Sequence, residues 1–238
     1  MKKFYSIIFM ICIFSFFLQG LTIYTGAINK EFIKEKMDIT DQEKILSKIQ
    51  IDRIEEAPEK VGLLCFDVSD TECIAVGSER LAQKYILVYD KKGLFLYGYK
   101  INIDGKFGVG WTEKNLVIYL VRENAVITIG DSDKILSCEK IVDSSDNASY
   151  WNNEIFSTQR VKKGNYYTMK NQTSILTKFT MSSYSILERK DISGNTNFIY
   201  NNSSDFAVKQ ILEMIFVFSF IVIIIITIFK HLKRSNLN

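Results

Sequence analysis

Apolar residues in the middle of this chain come in short runs: VGLLCFDV from Val61, CIAVGS from Cys73, KYILVYD from Lys84, LFLYGYKI from Leu94, FGVGW from Phe107 and LVIYLVR from Leu116. Each run is rich in Val, Ile, Tyr and Phe, and Ser-Asp, Lys-Gly, Asp-Gly or Glu-Lys turns separate them. That rhythm predicts β-strands. The turns are too frequent for the long crossovers that parallel strands require, so the strands are expected to pair antiparallel. Before this region, residues 28–59 are highly charged and have a different period. Thr40 with Glu43 matches a capping box, Ile45, Leu46 and Ile49 recur at helical spacing, and Pro58 is the only proline. The spacing predicts an amphipathic helix from about Asp41 to Ile54 in a juxtamembrane segment.

Two long apolar runs flank the middle. Residues 1–27 place Lys2 and Lys3 before an apolar stretch and a Thr25-Gly26-Ala27 triplet, which predicts a secretory signal. The same stretch is long enough to remain as a helical anchor, and both outcomes export the chain beyond residue 27. Near the other end, ILEMIFVFSFIVIIIITIF from Ile211 is followed by Lys230, His231, Lys233 and Arg234. This predicts a transmembrane helix over 209–230 and a basic cytoplasmic tail over 231–238. The basic flanks put both ends in the cytoplasm and residues 60–205 outside it, so the expected location is the cell membrane, with one or two spans.

The strands also repeat. ILVYDKKGLFLYGYKI from Ile86 aligns without gaps on VITIGDSDKILSCEKI from Val126, an offset of 40 residues. VGLLCFDVSDTECIAVGS and FGVGWTEKNLVIYLV, just upstream of each copy, match in the same sense. A fainter third copy begins at GNYYTMK and carries Asp191-Ile192-Ser193-Gly194 at its turn, displaced by a polar insert over about 143–159. Repeats of roughly 40 residues with up to four short strands have the scale of propeller blades. On phrases such as VYDKKGLFLYGYKI, residues 61–200 resemble membrane-anchored bacterial proteins with β-propeller-like repeats. The resemblance implies antiparallel blade-like hairpins. Three arrangements stay open: a partial propeller completed by other chains, an open twisted sheet, or a small sandwich.

Charge and chemistry narrow the function. Of the 30 basic residues, five sit in the two tails, which leaves 25 against 27 acidic ones in the remainder. The folded part is therefore slightly acidic and no nucleic-acid partner is expected. The single histidine, His231, lies in the predicted tail. An exported Ser-His-Asp or Cys-His nucleophile and a histidine-containing zinc site are thereby excluded. Asp67 with Asp70, and Asp131 with Asp133, are the carboxylate pairs to weigh for acid–base work. All four lie at predicted turns, where Asp is favoured for its hydrogen bonds to the backbone. The exported cysteines are Cys65, Cys73 and Cys138, and a hairpin centred on Ser69 would set Cys65 against Cys73 as a candidate disulfide. Tyr150 and Trp151, in the polar insert, form the candidate contact surface. No catalytic residue, metal ligand or cofactor is assigned. The sequence points to a non-enzymatic, membrane-anchored binding protein whose ligand would be a peptide, a glycan, a membrane-protein partner or a second copy. Alternatives are a structural accessory subunit and a histidine-independent envelope hydrolase.

Overall fold

The computed structural model describes residues 32–59, 61–171 and 183–204, together with a few helical positions between 215 and 226. The predicted signal segment and most of the predicted span lie outside the described residues. Ile215, Phe216, Phe218, Phe220 and Ile223 are helical and exposed, but no helix among the described residues is long and apolar enough to cross a membrane.

The architecture is mainly β, with three antiparallel sheets. Sheet 1 has the order β2–β6–β5–β4–β3, formed by Gln50–Ile54 (β2), Gly62–Val68 (β3), Ile74–Arg80 (β4), Gln83–Tyr89 (β5) and Phe95–Asn102 (β6). Sheet 2 has the order β1–β10–β9–β8–β7, formed by Lys34–Lys36 (β1), Phe107–Thr112 (β7), Asn115–Leu120 (β8), Ala125–Ile129 (β9) and Ile135–Ile141 (β10). Sheet 3 is a four-stranded meander of Gln159–Lys162 (β11), Asn165–Lys170 (β12), Ile186–Lys190 (β13) and Thr196–Asn201 (β14). All six strands expected between 61 and 122 are present. The 40-residue offset is real at the level of turns. Asp90 N–H donates to Leu94 O, Gly130 N–H to Lys134 O, and Asp191 N–H to Asn195 O, each at 2.9 Å. The three sheets form no closed propeller among the described residues.

Sheet 1 lies between the other two. One of its faces, with Cys65, Ala75, Ile86 and Ile101, packs on Val109, Ile118 and Ile127 of sheet 2. The opposite face, with Leu63, Phe66, Val76 and Leu87, packs on Tyr167, Met169, Leu187 and Ile199 of sheet 3. This explains why β3 to β5 read as nearly continuous apolar runs: a strand buried on both faces has no need of polar alternation. The outer face of sheet 2 is covered by Phe32 and by the insert, which folds as α2 (Ser145–Tyr150) followed by a π turn (Trp151–Ile155).

The charged segment 28–59 departs from expectation. Its helix, α1, covers Ile39–Leu46 only, and Asp38 at its N-cap makes no side-chain capping bond. Chain continuing past Ile49 becomes β2 and pairs with β6 from Gln50↔Asn102 to Ile54↔Gly98. The free outer edge of β6 supplies a ladder of backbone partners, which prevails over the helical spacing of Ile45 and Ile49. In the same way β1 closes the outer edge of β10. Residues 32–59 are therefore integral to two sheets.

The inner strands run parallel across the three sheets. Cys65 on β3 lies against Phe107 at the start of β7, and Asp67 accepts from the backbone N–H of Trp111 further along. Arg160 and Lys162 on β11 likewise meet Asp67 and Asp70 in order. The sheets thus share two ends. The tip carries the β3–β4, β5–β6, β9–β10 and β13–β14 turns. The base carries the β4–β5, β6–β7 and β8–β9 turns. Lys34 pairs with Ile141, the last residue of β10, so the chain enters the sheets at the base, and it leaves β14 at the base as well. There the Tyr200 hydroxyl bonds both the N–H and the carbonyl of Val61, each at 3.1 Å.

Candidate functional site

A cavity lies at the base, where α1 bridges sheets 1 and 2. It encloses about 500 Å³ and is lined by Met37, Ile45, Ile49 and Ile103 on its apolar side. Asp41, Lys44, Lys48, Asp104, Arg122, Glu123 and Lys140 supply its charged rim. The cleft arises because β1 and β2 close the edges of two different sheets, so α1 must span the gap between them. Ile45, Leu46 and Ile49 turn inward onto the core shared by those sheets, which directs Lys44 and Lys48 outward along the rim.

Charges in the cleft are unevenly used. Arg122 pairs with Asp104 at 3.1 Å and Lys140 with Glu35 at 2.9 Å. The Glu35 contact raises the Lys140 pKa. Lys44 and Lys48 make no ion pair among the described residues. Glu123, in the β8–β9 turn, has one carboxylate oxygen, Oε2, that is enclosed and meets no hydrogen-bond donor among the described residues. A buried acceptor without a donor is uncommon, because such groups lose their hydration with nothing in return.

At the tip Asp90, Asp133 and Asp191 are engaged. Asp90 Oδ1 accepts from the backbone N–H groups of Lys92 and Leu94 at 2.8 Å each, and Asp191 Oδ1 accepts from Asn195 N–H at 2.9 Å. These backbone donors hold both carboxyls below the usual range. Asp133 accepts from the Tyr99 hydroxyl and from Arg53 Nη1 at 2.8 Å. The Tyr99 hydrogen bond lowers its pKa first, and the Arg53 hydrogen bond and charge lower it further. Arg53 also bonds Glu55 and lies 4.5 Å from the Tyr97 ring centre. Asp131 lines a smaller recess of about 150 Å³ beside Arg53, Tyr97 and Lys114.

The other residues singled out by sequence are accounted for individually. Asp67 faces Arg160 at 3.5 Å while Asp70 faces Lys162 at 2.8 Å, so the two carboxylates serve different partners and form no acid–base pair. Desolvation raises the Asp67 pKa, against the pull of Arg160; its side chain is still 27% exposed, so this desolvation is partial. Cys65 and Cys73 are free thiols. Val68 pairs with Ile74, so their hairpin turns about Thr71 instead of Ser69, and Cys65 stands opposite Gly77. Burial pushes the Cys65 thiol up to about 12. Tyr150 and Trp151 are half-buried against Phe32, with ring centres 4.4 and 4.8 Å away, and they help seal the outer face of sheet 2. Cys138 is buried in the core between sheets 1 and 2. Among the described residues no group of three His, Cys, Asp or Glu side chains is placed to hold a metal ion.

Sequence reasoning missed the cleft itself. Its residues come from α1, the β6–β7 turn, the β8–β9 turn and β10, and only the bridging position of α1 brings them together. One signal was present: Glu123 is the acidic residue of a base turn whose sequence, VRENA, has no Asp-Gly or Asn-Gly to use it as a turn former. No protein-family model, curated protein or solved structure matches this chain.

Proposed function

We propose that this protein is a non-enzymatic, membrane-anchored binding module whose β domain lies outside the cytoplasm and takes a small charged ligand in the cleft at its base. The observation that carries the reading is the cleft of about 500 Å³, whose rim carries two lysines that make no ion pair among the described residues. Sites that fix a ligand's orientation commonly combine an apolar floor with a few polar groups, as Met37, Ile45 and Ile103 do with Lys48 and Glu123 here. Chemistry at Cys65, Asp67 and Asp133 is disfavoured by what surrounds them. The Cys65 thiol is buried with a raised pKa, Asp67 is tied to Arg160, and Asp133 is held by Tyr99 and Arg53. Each of them is engaged in the fold.

Anchoring is supported by the apolar runs near residues 4–25 and 211–229, and by the base as the shared end at which the chain enters and leaves the sheets. A segment tethered at both sides to one membrane needs its two ends close together, and this topology supplies that. The exposure of Cys73 provides the test. Its thiol is partly exposed at the tip, whereas Cys65 and Cys138 are buried. A membrane-impermeant maleimide added to intact cells is expected to label Cys73 and to lose the label in Cys73→Ser. Labelling only after the membrane is permeabilised would refute the extracytoplasmic placement. Binding itself is tested by screening charged small molecules against the detergent-solubilised protein for a thermal shift that is lost in Lys44→Ala/Lys48→Ala.

A further inference from the structure

The β4–β5 turn departs from the chemistry of the turns around it. Arg80 pairs with Gln83, so Leu81 and Ala82 alone make the reversal, with φ of +49° and +65°. Two-residue hairpin turns with positive φ favour Asn-Gly, because left-handed backbone is unfavourable for a residue with an apolar side chain. The neighbouring base turns follow that preference, with Gly105 at φ of +76° after β6 and Asn124 at +47° after β8. Among the described residues no other turn places two consecutive non-glycine residues in this region. The strained turn holds Leu81 92% exposed, more than any other large apolar side chain among the described residues. One exposed leucine on an ordinary backbone would need no explanation. A leucine held in solvent at a strained position breaks two local rules at once, and such conflicts are where function is expected.

The place of the turn in the fold points to its partner. β4 and β5 are inner strands of sheet 1, and sheet 1 lies between the other two. β3 begins at Gly62, opposite Glu79, so the β4–β5 turn extends past its neighbour at the base. The chain leaves at this same end, where Asn202 N–H donates to Ser185 O. From Ser204 to the apolar run at Ile211 is seven residues, and from Thr25, in the first apolar run, to Phe32 is also seven. Seven residues reach about 25 Å at most. We infer that the β4–β5 turn is a membrane-contact element, with Leu81 inserted into the interfacial region of the bilayer that anchors the chain. One leucine could not recruit a free protein to a membrane. In a chain already tethered beside the bilayer the contact is intramolecular, so a weak insertion is enough to hold the domain upright on its base. The inference rests on the anchored reading.

The test uses the full chain carrying Cys12→Ser and Cys73→Ser, reconstituted into phosphatidylcholine vesicles. One environment-sensitive fluorophore is attached at Leu81→Cys or, at the tip, at Ser193→Cys; Cys65 and Cys138 are buried. Vesicles with brominated acyl chains are expected to quench the label at Leu81→Cys at least twofold and to leave the one at Ser193→Cys unquenched. Dissolved iodide should do the reverse. Equal quenching by lipid at the two positions, or quenching at Ser193→Cys alone, overturns the inference and leaves the anchored reading standing. Shielding of Leu81→Cys from iodide without quenching by lipid also overturns it, since a second copy would then cover the turn. Protein that fails to float with the vesicles refutes the anchored reading, and the inference falls with it. A variant without a label tests the strain. Leu81→Asn/Ala82→Gly supplies the residues that the turn geometry favours and is expected to raise the melting midpoint in detergent. An unchanged or lower midpoint would mean that Leu81 and Ala82 serve the fold, and would overturn the inference.

Discussion

Particular side chains at the two ends of the sheets use their charge differently. At the tip, Asp90 and Asp191 each hold backbone N–H groups of their own turn, and Asp133 ties the β9–β10 turn to Tyr99 and Arg53 of sheet 1. At the base, Glu123 has an enclosed oxygen with no donor, and two lysines stand without acids among the described residues. Turns that merely reverse a strand need an acceptor for their own amides, and Asp at the first position provides it. A charge left over after the backbone is satisfied does nothing for the turn that carries it. The contrast separates charges that build the fold from charges available to a ligand.

The largest expected effect compares two glycines with similar backbone angles. Gly93 in the β5–β6 turn has φ of +87°, and a Cβ there would come within 2.9 Å of the Phe198 carbonyl oxygen on β14. Gly105 at the base has φ of +76°, but a Cβ there would meet only Arg122, with its Cβ at 3.5 Å. Replacing either by alanine forces a left-handed residue, at a cost of about 1–2 kcal/mol. At Gly93 the clash with backbone adds roughly 1–3 kcal/mol, because carbonyl oxygens in a packed sheet cannot move aside as a side chain can. Gly93→Ala should therefore be clearly less stable than Gly105→Ala in denaturant unfolding. Equal losses would mean that the tip is not packed more tightly than the base.

A smaller effect concerns acid. The folded pKa of Asp133 is depressed, first by the Tyr99 hydroxyl and then by Arg53. A depressed carboxylate contributes stability above its unfolded pKa of about 3.9 and loses that contribution as pH falls through the folded value. Asp133 is partly exposed, so solvent screens the pair and the contribution is modest, on the order of 1 kcal/mol or less. Asp133→Asn should lower stability at pH 7 by that amount and flatten the acid limb of the stability profile below about pH 4. An acid limb as steep in the variant as in the wild type would show that other carboxylates carry it.

Much of the fold was legible in the sequence, and the failures are instructive. The six strands from Val61 to Arg122 were readable because turn chemistry punctuates them closely, and the 40-residue offset because equivalent turns recur at Asp90 and Gly130. The third sheet was fainter because the insert displaces it. What misled was local periodicity in a segment whose fate is decided by distant partners. Ile45, Leu46 and Ile49 suit a helix, yet the open edge of β6 captures the next residues as β2. The hairpin centre was missed by two residues, enough to send Cys65 to Gly77 instead of Cys73. Tyr150 and Trp151 lay in a polar sequence, and only the position of Phe32 explains why they are packed. The cleft depends on where α1 is stretched between two sheets, and no local pattern encodes that.

The smallest effect has the sharpest sign. Amide replacement of a carboxylate that holds donors, as at Asp133, should destabilise. The same replacement at Glu123 removes a charge whose enclosed oxygen meets no donor among the described residues, so it should leave stability unchanged or raise it by up to about 1 kcal/mol. Lys44→Ala/Lys48→Ala should change it by less than about 0.5 kcal/mol, since both side chains lie on the rim without an ion pair among the described residues. Unfolding midpoints for Asp133→Asn, Glu123→Gln and the double lysine variant, measured at pH 7 with no ligand added, therefore form a compact set. A midpoint for Glu123→Gln as low as that for Asp133→Asn would mean that Glu123 holds a donor within the protein. Glu123 would then serve the fold as Asp133 does. A midpoint at or above that of the wild type would mark Glu123 as a side chain kept at the expense of stability, the usual mark of a residue retained for what it binds.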